Sequence, residues 1–171
     1  VDSAAPSYFL WDLSRFVNNS EELTTALNAG IDGLLDRLST SGSEAAKDFL
    51  SSWDDFIMEY GSRGPNEYEI YADTWETRPA IALALLDRIR LQTDEENPVG
   101  RHKKIAESRE ATIAEVREKL AVLNNEELDG TFEAALNAGN VMVFQERTKT
   151  NFIRVVNEIR VTFEELGYRS Q

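Results

Sequence analysis

Cysteine is absent from this 171-residue chain, and histidine occurs once, at position 102. Without thiols, disulfide bonds, zinc–thiolate sites and thiolate nucleophiles are excluded, and one imidazole cannot build a histidine-rich metal site. Cations are also scarce, with 18 Lys and Arg against 31 Asp and Glu, whereas nucleic-acid binding needs clustered Lys and Arg. We therefore predict no metal site and no nucleic-acid partner.

Long apolar runs are missing as well. No stretch approaches the roughly 20 apolar residues that a membrane span needs, and the start, V-D-S-A-A-P, lacks the basic and then apolar order of an export signal. We predict a soluble, cytoplasmic protein with no membrane contact. Motifs typical of phosphate loops, dinucleotide binding, zinc proteases and serine hydrolases are also absent from the sequence.

The net charge of −13 is unevenly distributed. Residues 1–100 hold 19 acids and 7 bases, a net of −12, and residues 101–171 hold 12 acids and 11 bases, a net of −1. An acidic surface that keeps the chain soluble explains this distribution. The alternative is that some of the C-terminal cations face an anion.

Apolar residues recur at three- and four-residue spacing through most of the chain, which predicts an all-α fold of about six helices in an irregular bundle. No convincing strand set is present, although the opening Y-F-L-W-D-L could be extended or helical. We interpret residues 1–171 as a single helical domain. The predicted helices are 19–39, capped by Asn19 with Glu22; 41–60, capped by Ser41 with Glu44 and ended by Gly61; 79–89; 101–122; a shorter helix from Asn124 or Asn125 to Gly139; and 141–166, ended by Gly167.

Residues 61–78 break the helical pattern and predict one long loop. The segment G-S-R-G-P-N-E-Y-E-I-Y-A-D-T-W-E-T-R contains two glycines, a proline and several aromatic residues. Long loops inside compact domains tend to be functional or well packed. Arg63 and Glu67 are predicted either to clamp this segment onto the helices or to form a cleft wall with aromatic residues such as Trp75, and both interpretations can hold together.

The last helix places a lysine among apolar residues. At 100° per residue, one face carries Phe152, Ile153, Val156 and Phe163. Lys149 and Arg160 project from the same face, and Gln145 lies near its edge. Because burying a bare charge costs several kcal/mol, Lys149 must extend to water, pair with a carboxylate, or line a cleft that binds an anion or polar substrate.

Two other charged groups are predicted to lie on the surface. Arg154 and Glu158 fall on the opposite side of the last helix, four residues apart, and are expected to pair with each other. His102, in G-R-H-K-K, has no serine or acid at the spacing of a catalytic triad. We therefore predict that His102 is solvated and without a catalytic role.

Three segments in order resemble a known family: W-D-L-S-R-F, Y-G-S-R-G-P-N-E-Y-E-I-Y-A-D-T-W and Q-E-R-T-K-T-N-F-I-R. They are similar to the central part of phosphoenolpyruvate-utilising phosphotransferases, in particular the rifampicin phosphotransferase and phosphoenolpyruvate synthase-like group. The resemblance covers about residues 11–167. Its more specific element is the Y-G-x-R-G-P-x-E block with a tryptophan downstream.

This resemblance implies a multidomain enzyme. Its ATP-grasp domain binds ATP and Mg²⁺, a helical central domain holds the phosphate acceptor, and a swivelling domain carries the phosphorylated histidine. The present chain resembles only the central domain, so we expect a fragment of a larger enzyme that binds no cofactor itself and is inactive alone. The partners implied are the ATP-grasp and phosphohistidine domains and a small-molecule acceptor. His102 lacks the Gly- and Ser-containing context of the swivelling histidine.

The resemblance also implies site residues. The family pattern in the last helix is roughly R-E-x-x-K, in which Glu146 and Lys149 match the acid and the lysine, whereas Gln145 replaces the arginine. Lys149 is therefore the candidate catalytic residue, which would stabilise charge on the transferred phosphoryl group. The candidate substrate-binding residues are Gln145, Phe152, Ile153, Val156, Arg63, Glu67 and Trp75.

Two alternatives stay open at this point. The chain could be a non-enzymatic helical scaffold or protein-interaction domain that keeps the family fold, which the replacement at Gln145 and the acidic first part favour. It could also be a free-standing helical bundle unrelated to phosphotransfer.

Overall fold

A computed structural model describes residues 4–170, apart from the side chains of Val143 and Arg147. Over this range the chain is all-helical, as predicted. Seven α-helices and one short 3-10 helix (Asp94–Glu96) are described, where the sequence predicted about six helices. The α-helices are α1 (Ala5–Asn18), α2 (Glu21–Asn28), α3 (Leu34–Ser41), α4 (Glu44–Tyr60), α5 (Ala80–Arg90), α6 (Pro98–Leu123) and α7 (Glu126–Arg169).

The first five helices form the hydrophobic core. α1 packs on α4 and α5, and α3 packs on α4. The segment Y-F-L-W-D-L, which the sequence left open, is helical and belongs to α1. The buried core residues are Leu10, Leu13, Val17, Leu23, Leu27, Leu34, Leu38, Ala46, Phe49, Trp53, Phe56, Ala82, Leu83 and Leu86.

Arg15, in the W-D-L-S-R-F segment, joins α1 to the end of α5. Its Nη2 donates to the carbonyl oxygens of Ile89 (3.1 Å) and Gln92 (3.0 Å), and its Nη1 lies 3.1 Å from Asp94 Oδ1. Carbonyls at a helix C-terminus have no partner within the helix, so a guanidinium that binds them both caps α5 and fixes its position. The apolar pattern of the segment gave no sign of this role.

The predicted helix over residues 19–39 is wrong, because the chain forms two helices there. α2 ends at Asn28 and α3 begins at Leu34, and the turn between them contains Gly30 with φ 111° and Gly33 with φ 62°. Only glycine adopts such left-handed backbone conformations at little cost. The apolar spacing continues across the turn because both helices face the same core.

The predicted capping residues are displaced along the sequence. Ser20, not Asn19, caps α2, and Ser43, not Ser41, caps α4, each accepting the backbone N–H three residues further on. The Glu22 side chain does not bond to the start of its own helix. Its Oε1 accepts hydrogen bonds from the hydroxyls of Ser41 (2.5 Å) and Ser43 (2.8 Å), which join α2 to the turn between α3 and α4.

The predicted break at Gly139 and stop at Gly167 are wrong, since both glycines lie inside the 44-residue α7. Asn125 caps this helix, as one of the two predicted alternatives stated. A glycine costs a helix about 1 kcal/mol but does not end it in the way that proline does. At 1.5 Å per residue, α7 is about 66 Å long, and its C-terminal half crosses the loop of residues 61–78. No helix among the described residues is long and apolar enough to cross a membrane.

Candidate functional site

The long loop predicted at residues 61–78 is confirmed, and its two ends are paired with each other. The Trp75 N–H donates to the Arg63 carbonyl (2.8 Å), and the Glu76 N–H donates to the Gly61 carbonyl (2.9 Å). Next to the Arg63–Trp75 bond, further into the loop, Gly64 approaches the opposite side so closely that a Cβ there would lie 2.6 Å from the carbonyl oxygen of Asp73. The loop is therefore a closed, packed unit.

Trp75 anchors this loop to the core. Its ring stacks on Phe56 of α4, with centroids 5.5 Å apart and planes 25° from parallel, and the side chain is half-buried against the core cluster. The contact that the structure describes for the Trp75 side chain is this one with the core. Its role as a wall of an acceptor pocket stays a prediction.

The Arg63–Glu67 clamp is confirmed. Arg63 Nε lies 2.8 Å from Glu67 Oε1, and both side chains are 14% exposed. An arginine–carboxylate bond this well shielded from water is stronger and more directional than a surface ion pair. The clamp fixes the Gly-Pro turn and presents the second oxygen of Glu67 to α7.

Lys149 meets that second oxygen. Its Nζ lies 3.4 Å from Glu67 Oε2 and 5.7 Å from the centroid of the Tyr68 ring. Of the three possibilities stated for this lysine, pairing with a carboxylate is the one observed. The side chain is still 34% exposed, so the ammonium is held in place by the loop and also reaches solvent.

The face of α7 that packs on the loop differs from the predicted apolar stripe. Phe152 and Phe163, which were placed on it, are 55% and 62% exposed, while Ile153 is buried together with Asn157 and Arg160. The partner surface is the polar backbone of the loop, not an apolar core, so polar side chains occupy the centre of the contact.

Arg160 is the most deeply buried cation of this contact, at 2% exposure. Its Nε donates to the Ile70 carbonyl (2.7 Å), its Nη2 to the Glu69 carbonyl (2.6 Å) and its Nη1 to Asn157 Oδ1 (2.9 Å). The sequence placed Arg160 on the correct side of α7 but could not indicate these carbonyls as its partners.

Asn157 extends the same network and was not predicted. Its Nδ2 donates to Glu76 Oε2 at 2.8 Å, so its amide connects Arg160 with the end of the loop. The available signal was its spacing, because Asn157 lies four residues after Ile153 and three before Arg160, on one side of the helix.

The predicted surface pair of Arg154 with Glu158 is wrong. Arg154 Nη2 donates to the backbone carbonyl of Glu59 (3.0 Å) and to its Oε1 (2.8 Å). Spacing within one helix identifies only local partners, and this partner lies at the end of α4, 95 residues earlier.

A cleft of about 340 Å³ opens between α4 and α7 beside the clamp. Sequence reasoning missed it, because its walls come from three distant segments. The lining residues are Ala5, Glu59, Tyr60, Arg63, Thr150, Asn151 and Arg154.

The other predicted residues of α7 lie before and after Lys149 along the helix. Phe152 lies beside Tyr68, with ring centroids 6.2 Å apart, Val156 is half-buried, and Gln145 is exposed. The structure thus brings Lys149 together with Glu67, Arg63 and Phe152, while Ile153 lies in the packed contact.

His102 is exposed, and its ring lies edge-on to Tyr8 with centroids 6.3 Å apart. Among residues 4–170, apart from the side chains left undescribed, no three His, Asp or Glu side chains are grouped so that they could hold a metal ion.

Comparison with known proteins gives one family. A family model described as "Rifampicin phosphotransferase fourth domain" matches residues 1–146. No curated protein and no solved structure matches the chain. The matched region contains the loop of residues 61–78 and Gln145, and it ends before Lys149, Phe152, Ile153 and Val156.

Proposed function

The chain belongs to the rifampicin phosphotransferase fourth-domain family, and on that premise we propose that it is the acceptor-binding helical domain of an ATP-dependent phosphotransferase. In this proposal a phosphohistidine on a separate swivelling domain carries the phosphoryl group to the acceptor. An ATP-grasp domain of the same cytoplasmic enzyme binds ATP and Mg²⁺. The chain alone does not complete the transfer.

The observation that carries this proposal is the position of Lys149. Its ammonium rests between Glu67 and Tyr68 at the surface of α7, with the side chain about one-third exposed and held by the clamped loop. A cation that is already in place stabilises charge that develops on a transferred phosphoryl group without the cost of reorganisation. Lys149 would bind the phosphoryl oxygens as the acceptor hydroxyl attacks.

The surroundings of Lys149 suit an apolar acceptor that bears a hydroxyl. Phe152 and Tyr68 present exposed aromatic surface next to the ammonium, and Val156 lies half-buried two turns further along α7. Such walls bind a ligand through burial of apolar area. The family takes its name from an enzyme that acts on rifampicin, so rifampicin is the first acceptor to test.

The test is phosphorylation of rifampicin, with ATP as donor, by the intact phosphotransferase that contains this chain. Lys149→Ala is expected to lower kcat by about 10²–10³-fold, the effect of removing one preorganised group that stabilises transition-state charge. Lys119→Ala is the matched control, since Lys119 pairs with Glu115 on exposed α6, and it should leave kcat unchanged. An unchanged kcat in Lys149→Ala would overturn the assigned role.

A second candidate function is a non-enzymatic scaffold. It is favoured by the contact of Lys149 with Glu67, which already balances the lysine charge, and by Gln145, which stands where the resembled pattern has an arginine. Under this alternative Lys149→Ala weakens the contact of α7 with the loop but leaves phosphotransfer in the intact enzyme unchanged.

A further inference from the structure

The cleft between the end of α4 and α7 has the features of an oxyanion site. We propose that it binds the phosphate group of a small molecule, held chiefly by the Arg154 guanidinium. Lys149 is not among the residues that line this cleft, and the proposal does not depend on an acceptor role for Lys149.

The side chains that line the cleft favour an anion. Two cations, Arg63 and Arg154, and one carboxylate, Glu59, line it among the described residues, while Glu67, which pairs with Arg63, also pairs with Lys149. The charged lining groups have a net charge of +1 in a chain whose net charge is −13. An anion that approaches this acidic protein therefore meets a locally favourable field at the cleft.

Arg154 binds two oxygens of Glu59 beside the cleft. One of its two contacts is the backbone carbonyl of Glu59, which fixes the guanidinium at the cleft, and the other is the Glu59 carboxylate. The ion pair is exposed, with side-chain exposures of 44% and 59%, and such pairs are weak. A phosphate can take the place of this carboxylate and form two parallel bonds with a guanidinium.

The remaining wall of the cleft comes from α7 and α1. Asn151 supplies an amide able to donate to phosphate oxygens, while the Thr150 hydroxyl donates to the Glu146 carbonyl (3.0 Å). Ala5, the first residue of α1, also lines the cleft, and α1 has no acid in its first turn. The positive end of a helix dipole adds to the attraction for an anion, although the arginine is the main contact.

The experiment is a titration of the 171-residue chain with inorganic phosphate at constant ionic strength, with sodium chloride as the blank. Binding is measured by calorimetry and by the NMR shifts of the Arg154 side chain. Arg154→Gln is expected to weaken phosphate binding about tenfold or more, the usual worth of a charge-assisted bond. Glu59→Gln is expected to strengthen it about two- to fivefold, because the competing carboxylate is gone.

Arg78→Gln is the matched control. Arg78 pairs with Asp73 outside the cleft at 2.9 Å and is also solvent-exposed, at 65% against 44% for Arg154, so its loss changes the net charge by the same amount and should leave binding unchanged. The proposal is overturned by phosphate heats equal to the chloride blank, by equal losses in Arg154→Gln and Arg78→Gln, or by weaker binding in Glu59→Gln. If Arg154→Gln fails to fold, the Glu59→Gln variant tests the proposal alone: stronger phosphate binding supports it, and weaker binding overturns it. None of these readouts involves ATP or an acceptor, so they are independent of the phosphotransfer proposal.

Discussion

At the scale of single residues, Arg160 connects α7 to the loop most firmly. It is buried, and three of its nitrogens donate to two loop carbonyls and the amide oxygen of Asn157. A charge removed from water in this way is tolerated only because its donors are satisfied. The same carbonyls would stay buried without partners if the guanidinium were removed.

Arg160→Ala is therefore expected to lower the free energy of unfolding by about 2–4 kcal/mol, from unpaired polar groups and lost packing. Arg169→Ala is the control, because Arg169 pairs with Glu165 at 75% exposure, and it should cost less than about 0.5 kcal/mol. Urea unfolding of both variants checks this. Equal values for the two variants would contradict the role given to Arg160.

Glu22 gives a prediction about pH. Hydrogen bonds from the Ser41 hydroxyl, and next from the Ser43 hydroxyl, hold the pKa of Glu22 below its ordinary value of 4.5. A carboxyl whose pKa is lowered by folding stabilises the fold above the unfolded-state pKa, and this contribution is lost as pH falls through the folded-state pKa.

Ser41→Ala should therefore raise the pKa of Glu22 toward its ordinary value, as measured by NMR titration of the carboxyl carbon. Ser39→Ala is the control, since Ser39 donates to the Asp36 carbonyl within the same helix. A pKa of Glu22 that does not move in Ser41→Ala would show that the Ser41 hydroxyl is not a cause of the lowered pKa.

At the scale of elements, the sequence predicted where helices exist better than where they begin and end. The apolar stripe of α4 and its end at Gly61 are confirmed because α4 packs on one continuous core. Two helices were merged across Gly30 and Gly33, and α7 was divided at Gly139. Spacing alone does not distinguish a glycine in a left-handed turn from a glycine in a helix, because the backbone angle is set by the surrounding packing.

Gly139, inside a helix, and Gly64, at a close backbone approach in the loop, predict opposite mutational effects. At Gly139 an added Cβ has no atom within 4 Å, so Gly139→Ala should raise the stability of α7 by about 0.5–1 kcal/mol. At Gly64 an added Cβ would meet the Asp73 carbonyl at 2.6 Å, so Gly64→Ala should loosen the loop and lower stability. Hydrogen exchange of α7 and of the loop checks both predictions. A loss of stability in Gly139→Ala with a gain in Gly64→Ala would contradict the helix assignment at Gly139.

At the scale of the whole molecule, the uneven charge distribution has a structural counterpart. Lys149 and Arg154 from the near-neutral C-terminal part pair with Glu67 and Glu59 from the acidic first part. The sequence suggested that C-terminal cations face an anion and indicated Lys149, Arg63 and Glu67. It could not indicate the cleft or the carbonyl partners of Arg160, because these contacts join residues about 90 positions apart.

In the proposed function, α7 and the clamped loop act at the acceptor step of phosphotransfer. The most direct measurement separates the two half-reactions in the intact phosphotransferase by rapid quench, comparing wild type with Lys149→Ala. We expect phosphohistidine to form from ATP at the wild-type rate, while transfer from phosphohistidine to rifampicin slows by about 10²–10³-fold. Wild-type transfer to the acceptor, or equal slowing of both half-reactions, would contradict it.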